Sequence, residues 1–188
     1  MIYVIGPQET APVGANVINT TSRSNTWSKS LSPFFLGPVD LYSGFSSKNV
    51  ENAWQYSKVY QKYADSNGDP TPEYFVWAQN GWNSDRAFRY PMGVGAAPLY
   101  SYWAGAKYDY ITARQKIYMP LYAESVKLTS AYSKLKKLAA GPDDLYLWDF
   151  DAYNHKALGL TYDQVINDPT KKMGHAFVLA MLLDGFIQ

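Results

Sequence analysis

Aromatic side chains set the first limit on what this chain can fold into: 17 Tyr, 8 Phe and 6 Trp stand among 188 residues. Each such ring buries about 150–250 Å² and packs in offset or edge-to-face pairs, so the fold must supply a dense aromatic core. The same rings stack on bases or sugars when left at a surface, and composition alone names no ligand. Charged residues are only 18% and the formal charge is +1. That balance argues against a polybasic binder, whose affinity rests on many phosphate contacts. With no cysteine and only two histidines, His155 and His175, the chain can build no disulfide framework, cysteine nucleophile, thiolate metal site or all-histidine zinc cage. Its length suits one domain and is enough to bury about 70% of the unfolded surface. No apolar run approaches the roughly 20 residues that span a bilayer. The opening MIYVIGPQETAPVGA lacks the basic and long apolar regions of a signal peptide. The expectation is a soluble, cytoplasmic protein with no membrane partner.

Periodicity and punctuation place the elements. Ile2-Tyr3-Val4-Ile5 is β-prone and Gly6-Pro7 stops it, while residues 15–21 suit a second strand. Residues 22–30 are polar, and 31–42 are broken by Pro33, Gly37 and Pro38. A helix is predicted over 49–64 from the stripe Val50, Ala53, Trp54, Ser57 and Tyr60, capped by Ser47 or Asn49. A second starts at Thr71-Pro72 and runs to about Phe88, and 90–95 must be a loop. The longest helical signal runs from Asp109 to Lys137, kinked or split at Pro120 and stopped by Gly141-Pro142. Leu145-Tyr146-Leu147-Trp148 reads as a short buried strand, Thr161 and Gln164 form a capping box, and a last helix covers 172–186. These elements predict a helix-dominated α+β fold, one domain over 1–188, with short N-terminal strands and a small antiparallel sheet.

Three stretches gather polar groups among apolar ones. On a helix, Glu51, Gln55 and Lys58 share one face, because four and seven residues are about one and two turns. This stripe adjoins Trp54. A carboxylate, an amide and an amine beside an indole suit a sugar-like ligand, and an ordinary solvated face explains the same pattern. Along such a helix Glu51 and Lys58 lie about 10 Å apart, too far for a local ion pair. The second stretch, LYLWDFDAYNH over 145–155, is an apolar strand followed by Asp149-x-Asp151. Hard cations favour oxygen ligands of this kind. The pattern therefore resembles dehalogenase-type phosphotransferases and metal-holding glycosyltransferases. The first of these requires a threonine where Tyr153 stands and a place near the N-terminus, so it fails. A strand-ending turn with solvated aspartates is the plain alternative. The third stretch, Lys171–His175, opens the last helix, where backbone amides and two lysines suit an anion such as phosphate. Two exposed lysines at a helix start are the duller reading, and His175 is expected to pack or cap.

Some of these residues recur in a known order. Leu31-Ser32-Pro33-Phe34 and Gly37-Pro38-Val39-Asp40-Leu41-Tyr42 precede Asn49-Val50-Glu51-Asn52-Ala53-Trp54-Gln55-Tyr56-Ser57-Lys58. Trp148-Asp149-Phe150-Asp151 and Lys171-Lys172-Met173-Gly174 follow, ahead of the apolar stretch 177–183. Taken together these segments resemble the NADAR family, whose members act on N-glycosidic bonds of ADP-ribose-like and ribosyl-pyrimidine compounds. The match spans about 31–186 and is strongest over 31–58. Pro33 and Lys171 stand where that family has asparagine, an acidic-aromatic segment replaces its glycine-rich final loop, and residues 67–106 have no clear counterpart.

The resemblance implies catalytic roles for Glu51 and Lys58. It implies substrate contacts from Phe34, Trp54, Gln55, Trp148, Asp149, Asp151, Lys172 and Gly174, with no metal ligand and no cofactor. Cleaving an N-glycosidic bond develops positive charge on the sugar, which a carboxylate can stabilise or exploit by activating water. An amine can protonate the leaving group or attack the opened sugar. The expected activity is an N-glycosidase-like hydrolysis of an ADP-ribosyl or ribosyl-base compound, with ADP-ribosylated guanine in nucleic acid as the partner substrate. Two other readings stand beside it. One is a nucleotide-sugar or modified-base transferase using Asp149 and Asp151 with a divalent metal. The other is a non-catalytic module that binds ADP-ribose or a modified base.

Overall fold

Short strands and short helices alternate along the chain in a computed structural model that describes all residues from Met1 to Gln188. The strands are β1 (Ile2–Ile5), β2 (Asn16–Asn19), β3 (Val39–Asp40), β4 (Ser46–Ser47), β5 (Lys58–Val59), β6 (Tyr100–Trp103), β7 (Ala106–Tyr108) and β8 (Leu145–Trp148). The helices are α1 (Val50–Gln55), α2 (Pro72–Trp82), α3 (Tyr110–Ala113), α4 (Met119–Lys127), α5 (Ser130–Ala139), α6 (Tyr162–Asn167) and α7 (His175–Leu183). The fold is α+β. It comprises two compact units, residues 1–35 with 122–188, and residues 36–121. No helix is long and apolar enough to cross a membrane.

The first unit is organised on a three-stranded parallel sheet in the order β1-β8-β2, with Ile2 and Asn16 both in register with Leu145. A strand buried on both faces reads as an unbroken apolar run, and Leu145, Tyr146 and Leu147 are such a run. The sequence predicts these strands. What it does not announce is that the N-terminal pair flanks residue 145 in parallel. Tyr3 and Tyr146 stack across the sheet at 4.8 Å. Helix α7 packs on β1 and β8 and is apolar all round, with His175 to Leu182 buried. Gly174 caps it, so the helix starts three residues after the expected position. The Thr161–Gln164 capping box is present as expected. The polar stretch 22–30 is not wholly irregular: Trp27–Leu31 forms a 3-10 turn packed on α5, and the Tyr122 hydroxyl donates to the Leu31 carbonyl at 2.6 Å.

In the second unit the expected small antiparallel sheet is β5-β6-β7, with the ribbon β3-β4 beside it in sequence. Its core is the aromatic cluster that composition demands. Tyr56, Val59, Tyr74, Ala78 and Trp82 are buried, and Tyr42, Phe45, Trp77 and Tyr102 pack against them. Helix α1 is much shorter than the predicted 49–64. The reason lies in its last carbonyls, which other donors claim. The Ser57 hydroxyl takes the Trp54 carbonyl at 2.7 Å. The Tyr74 hydroxyl donates to the carbonyls of Tyr56 and Ser57, and the Tyr102 N–H also reaches Ser57. Residues 58–59 then pair with β6 instead of continuing the helix. Helix α2 likewise stops at Trp82, short of Phe88. The long helical signal is divided as well. A π-helical turn, Arg114–Tyr118, joins α3 to α4, with the Met119 N–H bonded five residues back to the Arg114 carbonyl. Pro120 has no N–H to donate to a carbonyl of the preceding turn, which is why the disturbance falls here. A second break, unforeseen, separates α4 from α5, where the Thr129 side chain caps Tyr132.

Candidate active site

The polar stripe of the second unit is built from the start of α1. Asn49 caps the helix, its side chain accepting from the Asn52 N–H at 2.8 Å. Asn52 itself is fully buried and pins α1 to the segment after α2. Its amide donates to the carbonyls of Gly81 (3.0 Å) and Arg86 (2.8 Å) and accepts from the Phe88 N–H (2.8 Å). Gly81 is required at that crossing, because a Cβ there would overlap the Tyr56 ring. So held, α1 presents Glu51, Trp54 and Gln55, which are 6%, 9% and 8% exposed.

A relay of two hydrogen bonds links the charged ends of the stripe. Gln55 Nε2 donates to Glu51 Oε1 at 2.9 Å, and Lys58 Nζ donates to Gln55 Oε1 at 2.8 Å. The Lys58 ammonium also sits 4.9 Å from the Trp54 ring centroid, a cation–π distance. Lys58 reaches this place from strand β5, not from the helix face the spacing suggested. The amide can adopt only one orientation. A carboxylate accepts and an ammonium donates, so turning the Gln55 amide round would oppose two acceptors and two donors. The π-helical turn packs on α1 and places the Tyr118 ring 5.2 Å from that of Trp54. In the same turn Arg114 is 1% exposed, with its guanidinium 4.6 Å from the Tyr110 ring centroid. Turns of this kind occur often at functional sites. Neither Tyr118 nor Arg114 was expected at a site; the one signal was Pro120, which marks where the helix must deform.

The remaining residues assigned by resemblance belong to the first unit. Phe34 is half-buried in the turn after Trp27–Leu31, its N–H held by the Ser32 hydroxyl. Trp148 ends β8 and meets Phe150 edge-on at 4.9 Å. Asp149 is buried, and its Oδ2 lies 3.1 Å from His175 Nδ1 and accepts from the Ala176 N–H at 3.3 Å. Burial alone would raise that carboxyl group. The charge and hydrogen bond of His175, with the backbone amides of Ala176 and Asp151, outweigh burial and hold it below the usual carboxylate range. On its other side His175 Nε2 meets the Thr20 carbonyl at 2.8 Å. A carbonyl only accepts, so that nitrogen carries a proton.

The anion that suits the start of α7 is therefore supplied by the chain itself, as Asp149. Gly174 has no Cβ because one would overlap the Asp149 carboxylate. Lys172, 63% exposed at its side chain, reaches Asp151 at 3.7 Å. No group of three or more His, Cys, Asp or Glu side chains converges where a metal ion would be held.

Known proteins supply no shortcut to this site. No protein-family model matches the chain, no curated protein does, and no solved structure does.

Proposed function

We propose that the chain is an N-glycosidase-like hydrolase acting on an ADP-ribosyl or ribosyl-base compound, with ADP-ribosylated guanine in nucleic acid as the leading substrate. The observation that carries this reading is the relay Glu51–Gln55–Lys58, buried at Glu51 and Gln55 and half-buried at Lys58, beside the Trp54 ring. It places a carboxylate and an amine, the two groups that breaking an N-glycosidic bond needs, next to an indole that can stack on a base or ribose. Glu51 stabilises the charge that develops on the sugar or activates water against it. Lys58 delivers a proton to the departing base, or attacks the opened sugar as an amine. Borohydride added during turnover separates these two roles, since it fixes a sugar on Lys58 only in the second.

The metal-dependent transferase reading lacks comparable support, because the Asp149 carboxylate is already engaged by His175 and Ala176. The test is release of ADP-ribose from an ADP-ribosyl-guanine oligonucleotide, with and without EDTA. Release that survives EDTA and disappears in Glu51→Gln and Lys58→Ala is the expected result. Binding without release would make the chain a recognition module. Release that both variants retain would overturn the assignment.

A further inference from the structure

The three-stranded sheet of the second unit has two unlike faces. Val59, Tyr100 and Tyr102 turn to the aromatic core. The opposite face carries Lys58, Ser101 and Tyr108, which antiparallel register sets side by side on β5, β6 and β7. The Tyr102 N–H donates to the Ser57 carbonyl, so Lys58 and Ser101 form a non-hydrogen-bonded pair. Pairs of that kind bring opposed side chains closest. Ser101 is only 5% exposed, and no hydrogen bond within the protein engages its hydroxyl. Buried hydroxyls are bonded as a rule, so one left open beside the amine of the candidate site calls for a partner from outside the chain.

Chemistry narrows that partner. A serine hydroxyl both donates and accepts, and a sugar hydroxyl answers it in kind. On the glycosidase reading Lys58 works at the anomeric carbon, and the ring's own hydroxyls are the polar groups nearest to it. We propose that Ser101 is a substrate-binding residue that exchanges a hydrogen bond with the 2- or 3-hydroxyl of the ribose being released. The site then prefers ribosyl to deoxyribosyl compounds. A site built to bond a hydroxyl rejects the analogue lacking it, because its own polar group is left stranded. The identity of the ligand rests on the glycosidase reading; the open hydroxyl does not.

Ser101→Ala removes a single oxygen and tests both parts. Without ligand, deleting a hydroxyl that bonds nothing in the protein should leave the urea midpoint at or above the native value. A lower midpoint would reveal a structural partner and overturn the proposal. With ligand, titration calorimetry follows ADP-ribose and its analogues lacking the 2- or the 3-hydroxyl of the terminal ribose. Ser101→Ala should weaken ADP-ribose binding by roughly fivefold to tenfold. One analogue should lose about as much on the native protein and nothing further on Ser101→Ala, since both deletions break the same bond.

Equal affinities in native protein and variant, or losses that add, overturn the proposal. So does a native protein that binds no ADP-ribose. Release of ADP-ribose from the oligonucleotide decides the glycosidase reading separately. A chain that releases it without using Ser101 keeps that reading and loses this residue. Coupled losses in a chain that releases nothing keep the residue and sink the reading.

Discussion

Each unit buries one carboxylate with a nitrogen base nearby, and the two give it different partners. In the first unit Asp149 meets His175 directly at 3.1 Å, and a helix amide and a strand-end carbonyl take up the remaining valences. In the second unit the Gln55 amide bonds Glu51 at one end and Lys58 at the other. A direct buried pair is satisfied in one arrangement and is strongly destabilising when broken. The difference teaches that Asp149 is tied into the architecture of its own unit, although the resemblance placed Asp149 and Glu51 at one site.

Substitutions can break that contrast. The largest expected effect is on turnover: Lys58→Ala should lower kcat by about 10²–10⁴-fold while the melting temperature changes little. Steady-state kinetics beside a thermal melt reads both. Asp149→Asn should do the converse, costing about 3–5 kcal/mol of stability by leaving His175 without its counter-charge. Denaturant unfolding reads this directly. A raised KM at unchanged stability would restore Asp149 to the substrate site.

Asn52→Ala should cost about 3 kcal/mol, because the Gly81 and Arg86 carbonyls and the Phe88 N–H all lose a buried partner. It tests whether α1 is positioned from outside itself. If this variant unfolds at the native denaturant midpoint, the tether is dispensable.

The smallest effect is the response to acid, which concerns the first unit. His155 is buried, and burial, then the charge of Lys156, lowers its pKa against the opposing pull of Asp184. Its folded-state value lies below the unfolded one, so the unfolded chain takes the proton first. Stability should begin to fall below about pH 6.5. The carboxyl group of Asp149 is also depressed. Its contribution is therefore present above about pH 4 and lost as pH drops through the folded value. Urea midpoints against pH should show two descending steps. His155→Phe, which keeps a ring against Tyr162 and Phe177, should erase only the upper one. A flat response between neutrality and pH 5 would remove His155 from this account.

Much of this was legible where the cause is local. The Asn49 cap, the Thr161 capping box, the apolar run of β8 and the disturbance near Pro120 all follow from side chains acting on neighbouring backbone. The end of α1 was not legible, because the Tyr74 hydroxyl and the Tyr102 N–H that claim its carbonyls arrive from elsewhere in the chain. The stripe shows both cases at once. Spacing grouped Glu51, Gln55 and Lys58 correctly but gave Lys58 the wrong backbone, and its long side chain closes the gap. The pairing of Asp149 with His175 had no local signal at all, since nothing near either residue specifies the other.

The two units also differ in how their sequence is gathered. Residues 36–121 are contiguous, and that unit can assemble from contacts made along one stretch of chain. The other unit joins residues 1–35 to 122–188, and its Thr20–His175 hydrogen bond spans 155 positions. Closing so wide a loop adds little to the equilibrium cost, which grows only with the logarithm of length. It bears on time instead, because contacts far apart in sequence slow folding. Strands β1 and β2 pair only with β8, so the parallel sheet cannot form until residues 145–148 reach the N-terminal segment.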